Sequence, residues 1–110
     1  MATDKRVANA GGEGDPERAL IFCLRHPLRR ELLRLYVKEA DRLSPKQLSD
    51  FTKKHLSLVG YHVRELAKYG AVELVGTKPR RGSVEHFYRA TPLVDEVPWA
   101  RAALGLGDGA

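Results

Sequence analysis

The chain has 110 residues, with 19 lysines and arginines against 14 aspartates and glutamates and a formal net charge of +5. This length allows one domain with one modest core. The basic balance favours an anionic partner, either a nucleic acid or an acidic protein surface. The single cysteine, Cys23, excludes an intrachain disulfide and a thiolate metal cluster, and it is interpreted as a small buried hydrophobe rather than a redox group.

Residues 1–15 are predicted to form a flexible arm, because they contain few large apolar side chains and three glycines. A plain disordered end is the favoured interpretation of this arm, and a weak contact of Lys5 and Arg6 with nucleic acid is the alternative. The N-terminus lacks the apolar core of a signal peptide, and the apolar run at residues 19–24 is too short to span a bilayer. We therefore expect a cytoplasmic protein that does not associate with membranes.

Asp15-Pro16-Glu17 predicts the start of a first helix, since aspartate caps helices, proline suits the first helical position and glutamate suits the first turn. His26-Pro27 interrupts it, because a residue before proline avoids the helical region. A second helix is predicted from Pro27 to about Lys38. Its apolar residues follow the spacing of one helical face: Leu28, Leu32, Leu35 and Tyr36.

Ser44-Pro45-Lys46-Gln47 predicts a capping box at the start of a short third helix, which is expected to bury Leu48 and Phe51. After a turn, Ser57 is predicted to cap a fourth helix. Gly70 is expected to end that helix as a left-handed C-cap. The third and fourth helices together are predicted to form a helix-turn-helix.

After Gly70 the pattern alternates, which predicts strands at residues 71–77 and 84–91 joined by a six-residue loop at 78–83. The tail, residues 92–110, is predicted to carry a short helix from Pro98. The whole order predicts an α+β, mainly α fold: a winged helix-turn-helix over residues 16–91, in which the β-hairpin is the wing.

The fourth helix separates into two faces at about 100° per residue. The apolar face contains Val59, Val63, Leu66 and Ala67. The opposite face contains Ser57, Gly60, Tyr61, Arg64 and Lys68.

The second face suits a helix that lies in the major groove of DNA. Gly60 is expected to let the helix approach base edges, and Arg64 to form a bidentate contact with guanine. Tyr61 is assigned to a thymine methyl or a phosphate. Ser57 and Lys68 are assigned to phosphates. The alternative is an ordinary solvated helix face.

The wing carries three cations, Lys78, Arg80 and Arg81, which are expected to enter the minor groove or to follow phosphates. The alternative is a charge cluster that keeps a strand edge from pairing. From Arg42 to Thr91 the sequence has ten lysines and arginines against four aspartates and glutamates. The excess positive charge of the chain therefore falls in the helix-turn-helix and the wing.

No pattern of catalytic or metal-binding residues is found in the sequence. His62, at the edge of the apolar face, is interpreted as a hydrogen-bonded packing residue. We therefore predict no enzymatic activity, no cofactor and no metal. The leading hypothesis is a regulator that binds double-stranded DNA, and the alternative is a winged-helix module that binds an acidic protein partner. The alternative predicts no affinity for a duplex even at low salt.

Residues 57–72 resemble the recognition helix of ArsR-like winged helix regulators, whose pattern is roughly S-x-V-S-x-H-L-x-x-L-x-x-x-G-L-V. The positions that match are Val59, His62, Leu66, Gly70 and Val72. Gly60 replaces the usual serine. The segment 26–33 resembles the entry to the second helix of that family, and 81–89 resembles its wing.

The resemblance implies a homodimeric repressor that binds a palindromic site and is released by an effector, which the sequence does not identify. It also implies that the first and last helices form the dimer interface. The residues assigned to that interface are Leu20, Leu24, Trp99, Ala103 and Leu106, for each of which a core role is the alternative. Metal sensing of the kinds known in the family is not expected, because the third helix lacks cysteine and the tail lacks histidine.

Overall fold

The computed structural model describes residues 15–39 and 41–107. The predicted flexible arm, apart from Asp15, lies outside the described residues. The elements follow in chain order: α1 (Pro16–Leu24), α2 (Pro27–Lys38), α3 (Pro45–Thr52), α4 (Leu56–Lys68), β1 (Val72–Arg80), β2 (Ser83–Ala90), a 3₁₀ helix (Pro92–Glu96) and α5 (Ala100–Ala103).

The starts of the first three helices are confirmed. The Asp15 carboxylate accepts from the Arg18 amide at 3.2 Å, and His26 Nδ1 accepts from the Leu28 amide at 3.1 Å. At α3 the capping box is complete, because Ser44 Oγ accepts from the Gln47 amide and Gln47 Oε1 accepts from the Ser44 amide. Each cap satisfies amides that the first helical turn leaves without a partner.

The start of α4 differs from its prediction. The N-cap residue is His55, and its side chain makes no capping hydrogen bond. Ser57 lies within the first turn, so its prediction as the cap is wrong. The prediction that Gly70 ends this helix is confirmed. Gly70 follows α4 with a φ of +83°, a left-handed conformation that favours glycine.

The core lies where α2 and α4 pack against each other and against α1, α3 and the C-terminal segment. Its fully buried side chains include Leu20, Cys23, Leu32, Leu33, Val59, Val63 and Leu66. The prediction that Phe51 is buried is wrong, because its side chain is 71% exposed. α3 packs through Leu48, and the chain turns into a left-handed residue, Lys53, directly after the helix. No element of the described chain therefore covers Phe51.

The two strands pair antiparallel and are longer than predicted at the turn. Lys78 pairs with Glu85, Pro79 with Val84 and Arg80 with Ser83. The turn is therefore Arg81-Gly82 alone, and the predicted six-residue loop is wrong. Proline lacks an amide donor, but a strand with a free edge tolerates that loss, so Pro79 does not end β1.

The hairpin is fixed to the helices near its base. Leu43 and Tyr88 exchange two backbone hydrogen bonds of 2.9 Å. The Tyr36 hydroxyl on α2 donates to the Leu43 carbonyl at 2.9 Å, and burial raises the pKa of this phenol. The base of the wing is thus hydrogen-bonded to the helical part of the chain.

The C-terminal segment folds back onto α1. Its 3₁₀ helix was not predicted, and the short last helix begins two residues after Pro98. The Trp99 indole donates to the Glu17 carboxylate on α1 at 2.7 Å. Of the residues assigned to a dimer interface, Leu20 is fully buried within the chain itself, which is its alternative role as a core residue.

Cys23 occupies the core as a hydrophobe. Its side chain is fully buried, and burial raises the pKa of the thiol to about 12. The thiolate, which is the reactive form of cysteine, is therefore negligible at neutral pH.

Candidate nucleic-acid interface

The two faces of α4 are arranged as the helical arithmetic predicts, except at Gly60, which is buried. Val59, Val63 and Leu66 are fully buried, and Ala67 is partly buried. On the other side, the exposed residues are Ser57, Tyr61, Arg64 and Lys68. One strongly amphipathic helix therefore packs against the core and presents a tyrosine and two cations to solvent.

A groove runs between the helix-turn-helix and the inner face of the hairpin, and it is called the helix–wing groove here. Its cationic lining residues are Arg42, Lys46, Arg64, Lys78, Arg80 and Arg81, and its carboxylates are Asp41, Asp50 and Glu85. The predicted DNA contacts of α4 and of the wing thus meet in the groove through four side chains, Arg64, Lys78, Arg80 and Arg81.

Ion pairs neutralise only part of this cationic lining. Lys46 pairs with Asp50 at 3.0 Å, and Arg80 pairs with Glu85 at 2.5 Å. Among the described residues, no carboxylate lies within 4 Å of the cationic groups of Arg64, Lys78 or Arg81. These three charges remain available to an external anion.

Glu85 connects the wing to the helix-turn-helix. Its buried carboxylate accepts from the Ser44 hydroxyl at the start of α3 and from Arg80 Nε at 2.6 Å. The hydrogen bond from Ser44, followed by the hydrogen bond and charge of Arg80, lowers the pKa of Glu85 in spite of its burial. The cation Arg80, which sequence analysis assigned to DNA, is therefore engaged with a carboxylate inside the protein.

The bond between Glu85 and Ser44 should contribute measurably to stability. We expect Glu85→Ala to lower the free energy of unfolding by about 1–3 kcal/mol, because a buried hydroxyl loses its acceptor. Glu73→Ala is the matched control, since Glu73 forms an exposed pair with Arg89 on the same hairpin and should change stability little. Urea denaturation of the three proteins measures this difference, and equal losses would contradict the role given to Glu85.

Arg64 lies along its own helix. A Cβ atom at Gly60 would be 3.2 Å from Arg64 Nη1, so the guanidinium rests against the glycine one turn earlier. Gly60 itself is buried. The expectation that Gly60 exposes helix backbone to base edges is therefore not met, because the space above it holds the Arg64 side chain.

The remaining predicted contacts on α4 lie outside the lining of the groove. Ser57 is exposed in the first turn, with its hydroxyl 3.4 Å from His55 Nδ1. Lys68 is exposed at the last turn, with its ammonium 5.5 Å from the centre of the Tyr69 ring. Tyr61 is 48% exposed, and its ring meets the edge of His62. These residues continue the exposed face of α4 beyond the groove.

His62 is a packing residue, as the sequence predicts. It is almost fully buried, its Nδ1 accepts from Arg29 Nε at 3.3 Å, and its ring lies 4.3 Å from that of His26. Burial, the neighbouring His26 and the charge of Arg29 lower the pKa of His62, against a smaller opposing effect of Glu65. A neutral imidazole therefore fixes α4 to the start of α2.

This lowered pKa predicts a pH dependence of stability. In the unfolded chain His62 takes up a proton near its ordinary pKa of 6.5, whereas in the folded chain its pKa is lower. The unfolded state therefore binds more protons as the pH falls. Stability should be fully present above pH 6.5 and should decline as the pH falls through the lower pKa of the folded state. Urea denaturation over this range measures it. His62→Asn keeps an acceptor without a titrating ring and should flatten that part of the profile, whereas an unchanged profile would refute the assignment.

Arg42 and Glu85 are among the groove residues that were not predicted from the sequence. Arg42 lies between predicted helices, where nothing local indicates its partners. Glu85 is the single carboxylate between Lys78 and Arg89 in the sequence. That isolated acid in a basic segment was the available signal for a buried ion pair.

The helices and the hairpin define a winged helix-turn-helix fold, which confirms the predicted fold class. The solved structure of HlyU from Vibrio cholerae is similar to this chain, with a TM-score of 0.56 and 18% sequence identity. The similarity covers 88% of this chain and 92% of that chain. No known protein family matched the sequence, and no curated protein matched it.

The described residues contain neither a metal-binding cluster nor a membrane-spanning helix. Within residues 15–39 and 41–107, no three side chains among His, Cys, Asp and Glu come close enough to hold a metal ion together. In the same ranges, no helix has the length and apolar character needed to cross a membrane.

Proposed function

We propose that this protein is a transcriptional regulator that binds specific sequences of double-stranded DNA. The observation that carries the proposal is that Arg64 on α4 and Lys78 and Arg81 on the wing line the same groove. Among the described residues, none of these three cations has a carboxylate partner. Cations in this arrangement complement the regularly spaced phosphates of a duplex. The winged-helix fold shared with HlyU is consistent with it.

In this proposal α4 lies in the major groove. Its exposed face presents Arg64, whose planar guanidinium matches the two acceptors on the edge of guanine. Tyr61 lies one turn before it on the same side. The wing turn Arg81-Gly82 projects from the same groove and reaches the adjacent minor groove or its phosphates. Base recognition is thus assigned to α4, and binding independent of sequence to the wing.

Gel-shift titration tests the proposal directly. The full chain should bind a mixed-sequence duplex at low salt and should lose affinity steeply as salt rises, because bound phosphates release counterions. Selection of bound duplexes from a random pool should then enrich one motif. Absence of duplex binding at low salt would refute the proposal and would favour an acidic protein partner. Equal binding to all duplexes would refute sequence specificity.

We further propose a homodimer that acts as a repressor at a palindromic site. The resemblance to ArsR-like regulators supports this, as does the exposure of Ile21 on α1 and of Trp99 in the C-terminal segment, which packs on α1. Leu24, Ala103 and Leu106 are at least partly exposed and remain assigned to this interface. Sedimentation of the chain should give twice the mass of one chain, and a selected motif should be a palindrome with half-sites about one helical turn apart.

A further inference from the structure

Arg42 lies outside both elements assigned to DNA, in the segment between α2 and α3. It is exposed and lines the helix–wing groove. Its guanidinium carbon is 4.5 Å from the centre of the Phe87 ring on β2, which is within the range of a cation–π contact. The guanidinium of this long side chain therefore lies over an aromatic ring of the wing.

Gly76 lies beside the same guanidinium, and the Phe87 ring and the Gly76 backbone together are called the seat of Arg42. A Cβ atom at that position would lie 2.6 Å from Arg42 Nη1, closer than any such contact allows. Gly76 and Phe87 are register partners, so the ring and the bare backbone lie side by side on one face of the hairpin. The arginine thus contacts a surface made by one cross-strand pair, and a Cβ atom at position 76 would require its guanidinium end to shift.

The charge of Arg42 is not neutralised within the described part of the chain, where no carboxylate approaches its guanidinium within 4 Å. One side of the guanidinium faces the Phe87 ring, and its N–H groups remain for an acceptor in the groove. Two N–H groups of a guanidinium match the oxygens of a phosphate. The location is also informative, because a sugar–phosphate strand separates the major groove, assigned to α4, from the minor groove, assigned to the wing.

We propose that Arg42, held by Phe87 and Gly76, binds a backbone phosphate of the DNA duplex between the two grooves. The inference rests on the proposed function and adds a binding residue to it. Arg42 thereby positions the duplex without reading its sequence.

Salt-dependent binding to a mixed-sequence duplex tests this with three variants. Arg42→Ala should reduce the slope of log K against log salt by about 1, the value for one lost phosphate contact. Gly76→Ala keeps the cation but shifts its guanidinium end, and should reduce the slope by less than Arg42→Ala does. In the Arg42→Ala background, Gly76→Ala should have no further effect. Arg89→Ala is the control, because it removes an equal charge from the same hairpin at a residue that pairs with Glu73 and does not line the groove, and it should leave the slope unchanged.

Thermal melting of each variant separates a loss of phosphate contact from a loss of fold. Wild-type slopes in Arg42→Ala and Gly76→Ala would overturn the inference while leaving the proposed function intact. Additive effects of the two substitutions would overturn it as well, because they would place Gly76 outside the seat of Arg42. A wild-type chain that binds no duplex would instead refute the proposed function itself.

Discussion

Arg64→Ala is expected to weaken binding to the selected duplex by about 1–3 kcal/mol, roughly 5- to 150-fold, and to relax the preference at one base pair. The reason is geometric. Arg64 is the exposed cation of α4 that lines the groove, and it has no carboxylate partner within the described ranges. Its loss removes the bidentate contact without opening the core. Titration against the selected duplex and against a single-base variant of it measures both effects.

Arg64→Lys is the informative companion. Lysine keeps the charge but lacks the planar fork of donors, so affinity for random duplexes should be kept while discrimination falls. If Arg64→Ala and Arg64→Lys both discriminate between bases as well as the wild type does, α4 does not read the sequence through this residue. If Arg64→Ala weakens the affinity for all duplexes equally, Arg64 contacts a phosphate and not a base.

Leu66→Ala is expected to lower the free energy of unfolding by about 2–5 kcal/mol. Leu66 is fully buried on the face of α4 opposite its cations, so truncation leaves a cavity where α4 packs on the core. Domains of this size have a total stability of about 5–15 kcal/mol, so the loss is a large fraction of the whole. Urea denaturation followed by circular dichroism measures it.

The control for this prediction lies two residues away. Lys68 is exposed at the last turn of the same helix, and Lys68→Ala should change stability by no more than about 0.5 kcal/mol. The contrast tests the two-faced character of α4 on which the interface depends. A cost for Leu66→Ala as small as that for Lys68→Ala would mean that α4 does not pack as described.

Signals that act within one helical turn were predictable from sequence. The caps at Asp15 and Ser44 depend on a side chain and an amide three residues later, and both are found. Gly70 ends α4 for an equally local reason, its positive φ. Ser57 was the exception, because the chain enters the helix two residues earlier, at His55, without a side-chain cap.

The hairpin illustrates the limit of local signals. Pro79 and Gly82 within six residues predicted a loop, yet pairing with β2 continues through Pro79. The length of β1 is decided by its partner strand, and a strand with a free edge tolerates the missing donor of proline. Lys78 and Arg80 are consequently strand residues, and Arg80 directly precedes the Arg81-Gly82 turn.

The candidate site divides in the same way. The exposed stripe of α4 follows from helical periodicity, and its members Tyr61 and Arg64 are exposed as predicted. The side-chain contacts that connect the wing to the helices, in contrast, join residues that are distant in sequence. Arg42 meets Phe87, and Ser44 meets Glu85 across 41 positions. Such contacts depend on how the wing packs on the helices, which no local pattern in one sequence reveals.

Amide chemical-shift mapping by NMR during titration with a selected duplex tests the central claim most directly. The largest changes should fall in α4 from residue 57 to 68, around Arg42 and along the inner face of the hairpin, while the exposed side of α1 remains unperturbed. Changes confined to α1 and the C-terminal segment, with α4 and the wing unaffected, would contradict the assignment of DNA binding to the helix–wing groove.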